Sequence, residues 1–349
     1  MAVSSDSLRL AIGEETTPGT APTGAYDLLR TTGEGLTYEV QTTTSDEMGG
    51  LNRGVKDSIL VGATVTGTVN FELSKHDALE TLMAAVHGNT FGGDPLTVPG
   101  AGADVVYDAS DFRSFAIEKR FTLTDTPTYS YQLFEGCMVD TMSLSITPNE
   151  PITGSVGFIG QTLELPVADT GSSYVGAGTN PVMTAPLVTG IELLTPHGID
   201  DSTGAPLGSP VPWSSDGCFM GLDLSWANNG RGIQCIGFLG NKETVLGRFE
   251  VTGTGSLYYA GDDPLEGLID QTEYALQVTC TDSDGNSYDF LFPRLKLSAA
   301  TVLASGTNTD VMTELTLQML EYQGNSYAVS SMLTRSASVV LAAPAPTED

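Results

Sequence analysis

Short runs of alternating apolar and polar residues, separated by clusters of Gly, Asn, Asp and Pro, make up most of the chain. They predict β-strands over 35–41, 114–124, 129–146, 154–160, 189–194, 221–227, 274–281, 288–303 and 313–319. The pattern changes twice, in Val65–Leu82 (VTGTVNFELSKHDALETL) and Val251–Leu268 (VTGTGSLYYAGDDPLEGL), which share eight of eighteen residues without a gap. Each reads as a strand running into a helix. Asp77 and Asp263 are the expected N-caps, with Glu80 and Glu266 three positions later at the capping-box spacing. Pro264 is expected at the first helical position, where its missing N–H costs nothing. Leu79, Leu82, Met83 and Val86 give the first helix one apolar face, whereas Gly267 predicts a shorter second helix.

The repetition extends upstream, since GLTYEVQ (35–41) answers GLDLSWA (221–227) at the same offset. The segments between strand and motif, Thr42–Leu60 and Asn228–Leu246, have equal length and predict two long hairpins or fixed loops. The Thr/Pro/Gly content of residues 8–34 suggests an extended arm or irregular edge, and residues 88–111 read as a connector. Asp282–Asn286 has the composition of a tight hairpin turn, and residues 339–349 that of a surface arm. The expectation is an all-β chain in two tandem domains, 1–175 and 176–349, each with one short flanking helix.

Charge narrows the choice of function. Fourteen Lys and Arg face 43 Asp and Glu, a net −29, which disfavours a nucleic-acid grip or an anionic membrane surface. A charged fraction of only 16% suggests surface buried between subunits. The N-terminus lacks the pattern of a secretory leader and no apolar run is long enough to span a bilayer, so synthesis in the cytosol is expected. Cys137, Cys218, Cys235 and Cys280 have no ligand spacing and read as small buried hydrophobes; Trp213 and Trp226 read as core or interface anchors. His76, His87 and His197 fit no metal motif; His87, ending the first helix, would complement its dipole as imidazolium. No nucleophile elbow, phosphate loop or dinucleotide fingerprint occurs, so no enzyme and no cofactor is expected.

Several of these residues carry a family likeness. Glu14–Thr20 (EETTPGT), the following strand, Ser45–Glu47 with Arg53, Gly67–Thr68 and the Asp77 helix resemble the tail tube (major tail) proteins of long-tailed, mainly non-contractile bacteriophages. The resemblance implies β-sandwich or barrel-like tube domains, rings stacked into a hollow virion tail assembled in the host cytoplasm, and duplex DNA passing through without specific binding. It also implies tape measure, tail terminator and tail tip proteins as partners. The second copy departs from the pattern at Asn228–Gly232, where the Ser-Asp-Glu element is missing. Other readings are a carbohydrate-binding or adhesive β-sandwich module and a hydrolase on a β scaffold.

Three expectations follow for a tube. The long loops, through Asp46, Glu47, Arg53 and Lys56 in one and Arg231, Lys242 and Glu243 in the other, contact an adjacent ring. The lumen is lined by acidic and neutral polar side chains. Relatives with one tube domain per chain would close rings of six, so a fused pair gives a homotrimer with pseudo-sixfold symmetry; a homohexamer decorated by the second copy is the alternative.

Overall fold

The computed structural model describes residues 3–45, 57–88, 96–97, 112–123, 128–200, 205–215, 218–304, 306–307, 309–323, 328–329 and 331–336. In the first half, β1 (Leu8–Glu15), β2 (Thr37–Thr44), β3 (Ser58–Glu72), β4 (Ser114–Thr122), β5 (Tyr129–Ile146) and β6 (Thr153–Gly160) pair antiparallel in the order β2-β3-β6-β5-β4-β1. In the second half lie β7 (Val188–Thr195), β8 (Phe219–Ala227), β9 (Glu250–Tyr258), β10 (Glu273–Thr281), β11 (Ser287–Leu303) and β12 (Met312–Met319). They pair in the order β8-β9-β12-β11-β10-β7. The two orders are the same order, each strand answering the one numbered six lower.

Two of the irregularities repeat as well. The β5–β6 register shifts between Val139 and Thr141, and the β11–β12 register between Leu297 and Ala299. The β4–β5 register shifts between Phe115 and Ile117, and the β10–β11 register between Tyr274 and Leu276. A bulge bends its strand, and these bends let β5 and β11 each serve two sheet surfaces, one on either side of the shift.

The halves are joined edge to edge. Beyond its bulge β5 pairs with β8, from Thr141↔Ala227 to Ile146↔Leu222, so one sheet runs β2-β3-β6-β5-β8-β9-β12-β11. Strand alternation sorts its two faces. Val69, Val156, Met142, Trp226 and Val251 lie opposite one another in sequence across the sheet, and all are buried in the main core.

Helix α1 (Asp77–Val86) packs on β5 and α2 (Asp263–Ile269) on β11. Both caps lie one residue before the expected ones. His76 is the N-cap of α1 and Asp262 that of α2, neither with a side-chain capping bond; Asp77 and Asp263 are the first helical residues, where their charge still favours the helix dipole. Pro264 is therefore second. Glu80 does not close a capping box because it is buried, accepting from Tyr288 Oη at 3.1 Å and pairing with Arg335 of the second half. Glu266 is exposed. As expected, α2 is the shorter helix, and a Cβ on Gly267 would lie 2.1 Å from the Tyr274 hydroxyl.

Three further expectations are corrected. Residues 8–15 are a strand paired on both sides, with Ser114–Phe121 and through Ala11–Ile12 with Leu28 and Asp27; Arg9, Glu14 and Glu15 disguise it, and each has a charged or amide partner. Of the cysteines only Cys137 and Cys280 are buried, while Cys218 is exposed and Cys235 half-buried, because both lie beside turns. His87 is fully buried, and burial pushes its pKa down to about 4, so it is a neutral imidazole at the helix end. The turn at 282–286 forms as expected: Asp282 Oδ1 accepts from the Asp284 and Asn286 amides, and Gly285 takes φ 84°. Residues 88–111 fall almost wholly, and 339–349 wholly, outside the described residues.

Candidate functional site, a hydroxyl-lined sheet face

The other face of the continuous sheet is polar from end to end. Asn70, Ser155, Ser143, Ser225, Thr252 and Gln318 stand directly opposite one another on six successive strands spanning both halves. The next rung toward one end runs Glu72, Thr153, Ser145, Asp223, Thr254 and Thr316. Small β-prone hydroxyl residues suit this surface, since they satisfy strand packing while leaving a low, wettable relief. Neighbouring hydroxyls bond across strands: Ser143 and Ser155 Oγ are 2.8 Å apart, and Ser145 Oγ donates to Asp223 Oδ1 at 2.5 Å.

Over its first seven strands charge on this face has one sign; on the eighth, Lys296 stands opposite Gln318 and is ion-paired with Glu273 at 3.5 Å. Glu39, Glu72, Asp223, Glu250 and Glu314 project from the face, and no Lys or Arg occurs in Thr37–Thr44, Ser58–Glu72, Thr153–Gly160, 141–146, Phe219–Ala227, Glu250–Tyr258, 299–303 or Met312–Met319. Arg248, just before β9, is ion-paired with Glu250 at 3.5 Å. The cations in and beside β1 and β4 sit elsewhere and are ion-paired. On β1 and β4, Arg9 contacts Glu118 at 2.5 Å and Asp169 at 2.6 Å, Lys119 pairs with Glu34 and donates to Leu36 O at 2.7 Å, and Arg113 holds Glu14. Arg294 donates to Glu273 at 2.6 Å and holds that carboxyl below its usual range.

Both long loops are hairpins. β2 and β3 pair out to Thr44↔Ser58; Asp46, Glu47, Arg53 and Lys56 lie beyond them, outside the described residues. In the second, Arg231–Ile233 pairs with Glu243–Val245, which places exposed Arg231, Lys242 and Glu243 on one hairpin. Its root is tied to the first half: Asn228 Nδ2 donates to Val86 O (3.2 Å) and Val139 O (3.0 Å), and Asn241 Nδ2 to Gly160 O (3.0 Å). The Ala63 amide donates to Leu239 O at 2.8 Å, seating the apex beside β3. That apex is apolar, with Ile236 and Phe238 exposed, as are Leu60 and Val61 of β3, a feature the charged residues had masked although IQCIGFL is plain in the sequence.

Catalytic geometry is not assembled among the described residues. The three histidines are far apart in the fold: His76 caps α1, His87 is enclosed by Trp226 and Phe249, and His197 lies 3.2 Å from Glu273. No group of His, Cys, Asp and Glu among the described residues could hold a metal ion. A hollow of about 520 Å³ beside Ile146, Asn149 and Glu192 is open to solvent. Among the described residues no helix is long and apolar enough to cross a membrane.

A family model for the phage tail tube protein matches residues 5–319. The chain belongs to the phage tail tube proteins. Comparison with curated proteins gives no match. This tail tube protein is therefore a structural component of the virion tail, and self-assembly into a tube with other tail proteins follows from the family. Its N-terminal EETTPGT segment has a structural role: Glu15 accepts from the Gly19 amide at 3.0 Å and the Gly136 amide at 2.9 Å, folding the arm back onto β5.

Proposed function

We propose that the chain closes rings of three copies, that the rings stack into a hollow tube, and that the hydroxyl-lined face is the wall of a channel through which duplex DNA passes. On this reading the halves are two tandem tube domains, divided near residues 175 and 176, occupying successive positions in a pseudo-sixfold ring. The observation that carries it is the pair of polar rungs crossing six successive strands of both halves without a basic residue. A duplex bears about one negative charge per 1.7 Å, so an acidic and hydroxylic wall offers its phosphates no grip. A decorating second domain would have no need to continue the first domain's sheet in register, and this one does.

The hairpins project from one end of that sheet and are read as the contacts to the adjacent ring, the second through its apolar apex as well as Arg231, Lys242 and Glu243. Electron microscopy of the purified protein tests the assignment: hollow rods are expected, and a protein that stays dispersed under all assembly conditions would overturn it. Replacing residues 234–240 by a tight turn should leave folded subunits and rings that do not elongate. Normal rods from that variant would refute the stacking role.

A further inference from the structure

The second hairpin ends in an apolar knob, and the opposite end of the strands that carry it holds a hollow of matching chemistry. β5 and β8 pair from Thr141↔Ala227 to Ile146↔Leu222, and the hairpin leaves β8 beyond Ala227. At the far end of that ladder lies the solvent-open hollow of about 520 Å³, walled by Ile146, Pro148, Pro186, Ile191 and Phe219 and lined also by Glu192. Both halves contribute to it, β5 from the first and β7 and β8 from the second, so the hollow is a product of their junction.

The knob is held out in solvent. Ile236 is 105% and Phe238 56% exposed, although the root of the hairpin is fixed by the Asn228 and Asn241 bonds to the first half. Ordered apolar side chains presented in this way mark an interaction surface. A charge accompanies them, since Lys242 Nζ stands 5.5 Å from the centre of the Phe238 ring. Among the described residues neither Lys242 nor Glu192 has an ion-pair partner. The first hairpin offers no equivalent knob, because Asp46, Glu47, Arg53, Lys56 and Asp57 crowd its tip.

We propose that the hollow receives the knob of a second copy of this chain in the adjacent ring, with Ile236 and Phe238 entering between Pro186 and Phe219 and Lys242 pairing with Glu192. The proposal rests on the stacked-ring reading and names the site that the second hairpin meets. Charge and shape agree: an acidic group stands in an apolar hollow at one end of the sheet, and a cation stands beside an apolar knob at the other. The volume lies within the roughly 300–1,000 Å³ of pockets that enclose a small ligand, enough for two side chains. An aromatic anchor seated in a pocket, with one ion pair at its rim, is the arrangement that concentrates binding energy at an interface. Knob and hollow lie at opposite ends of one chain, so the contact is head-to-tail and repeats without closing, as a growing tube requires. Each chain carries one of each, so one ring can turn against the next only by whole-chain steps.

Charge reversal tests the pairing. Lys242→Glu and Glu192→Lys should each leave circular dichroism unchanged and cut rod formation at least tenfold, because like charges would then meet in a joint that excludes water. The double variant, Lys242→Glu with Glu192→Lys, should form rods again. An equal mixture of the two single variants should do so too, because the altered end of one protein then meets the altered end of the other. Normal rods from either single variant would overturn the pairing while leaving the stacked tube standing, and so would a folded double variant that forms none. Absence of rods from the unsubstituted protein would remove the stacked-ring reading and the pairing with it.

Discussion

Acid should loosen the joint between the two halves through one side chain. His87 ends α1 beneath the second half: its Nδ1–H donates to Met83 O at 2.8 Å, and its Nε2 accepts from Ser331 Oγ at 3.1 Å. Ser331 Oγ in turn accepts from Trp226 Nε1 at 3.1 Å, and the rings of Trp226 and Phe249 close the site. This chain of bonds requires a neutral imidazole. Burial lowers the pKa from 6.5 to about 4, so between those values the unfolded chain binds the proton and the folded chain does not. Stability is therefore fully present above pH 6.5, falls as pH drops toward 4, and loses nothing further from this group below it. A depression of that size corresponds to about 3 kcal/mol, each pKa unit being worth about 1.4. The perturbation is His87→Gln, whose amide can donate to Met83 O and accept from Ser331 without titrating. Urea unfolding of the unassembled protein at pH 7, 5.5 and 4 measures the effect. Carboxylates contribute an acid loss to both proteins, so the relevant quantity is the difference, and the wild type should lose about 3 kcal/mol more than the variant. Parallel pH profiles would show that the imidazole is not the group responsible.

Gly267→Ala should destabilise the second half by about 1–3 kcal/mol in a urea melt, despite alanine's better helix propensity, because the added methyl would lie 2.1 Å from the Tyr274 hydroxyl. A neutral or stabilising result would show that Tyr274 moves aside freely. Glu314→Lys with Thr68→Lys, both exposed on the polar face, should leave subunit stability within about 0.5 kcal/mol but make assembled tubes retain duplex DNA in low salt and slow its ejection. DNA passage unaffected by these lysines would place the face away from the channel. Glu80→Gln should weaken the contact between the halves by roughly 1–3 kcal/mol, since the ion pair with Arg335 becomes a neutral hydrogen bond, and partial exposure of Arg335 moderates the loss. Unfolding that is unchanged in midpoint would contradict that account.

What could be read from the sequence follows the range of the interactions involved. The period-two runs located most strands within two residues, and Tyr129–Ile146 at both ends, because alternation is a local signal. The duplicated motif found both helices and the shorter length of the second. Three misreadings share one cause, which is a distant partner. Glu80 sits three residues after a helix-start carboxylate, yet Tyr288 and Arg335, more than two hundred positions away, decide where it points. Arg9 and Glu14 broke the alternation of β1 because Glu118 and Arg113 satisfy them across the sheet. His87 reads as a surface cation at a helix end until Trp226 of the second half covers it. The polar face itself was legible only as scattered Thr and Ser. Its continuity depends on the Thr141↔Ala227 register between the halves, which no window of sequence contains.

The number of chains in one ring tests the central claim most directly. Native mass spectrometry of isolated rings, checked against the end-on projection of the tube, should give three chains with pseudo-sixfold symmetry, each contributing two successive positions to the wall. Six chains per ring would contradict the account, because the second half would then lie outside the wall and the continuous polar sheet could not line the channel.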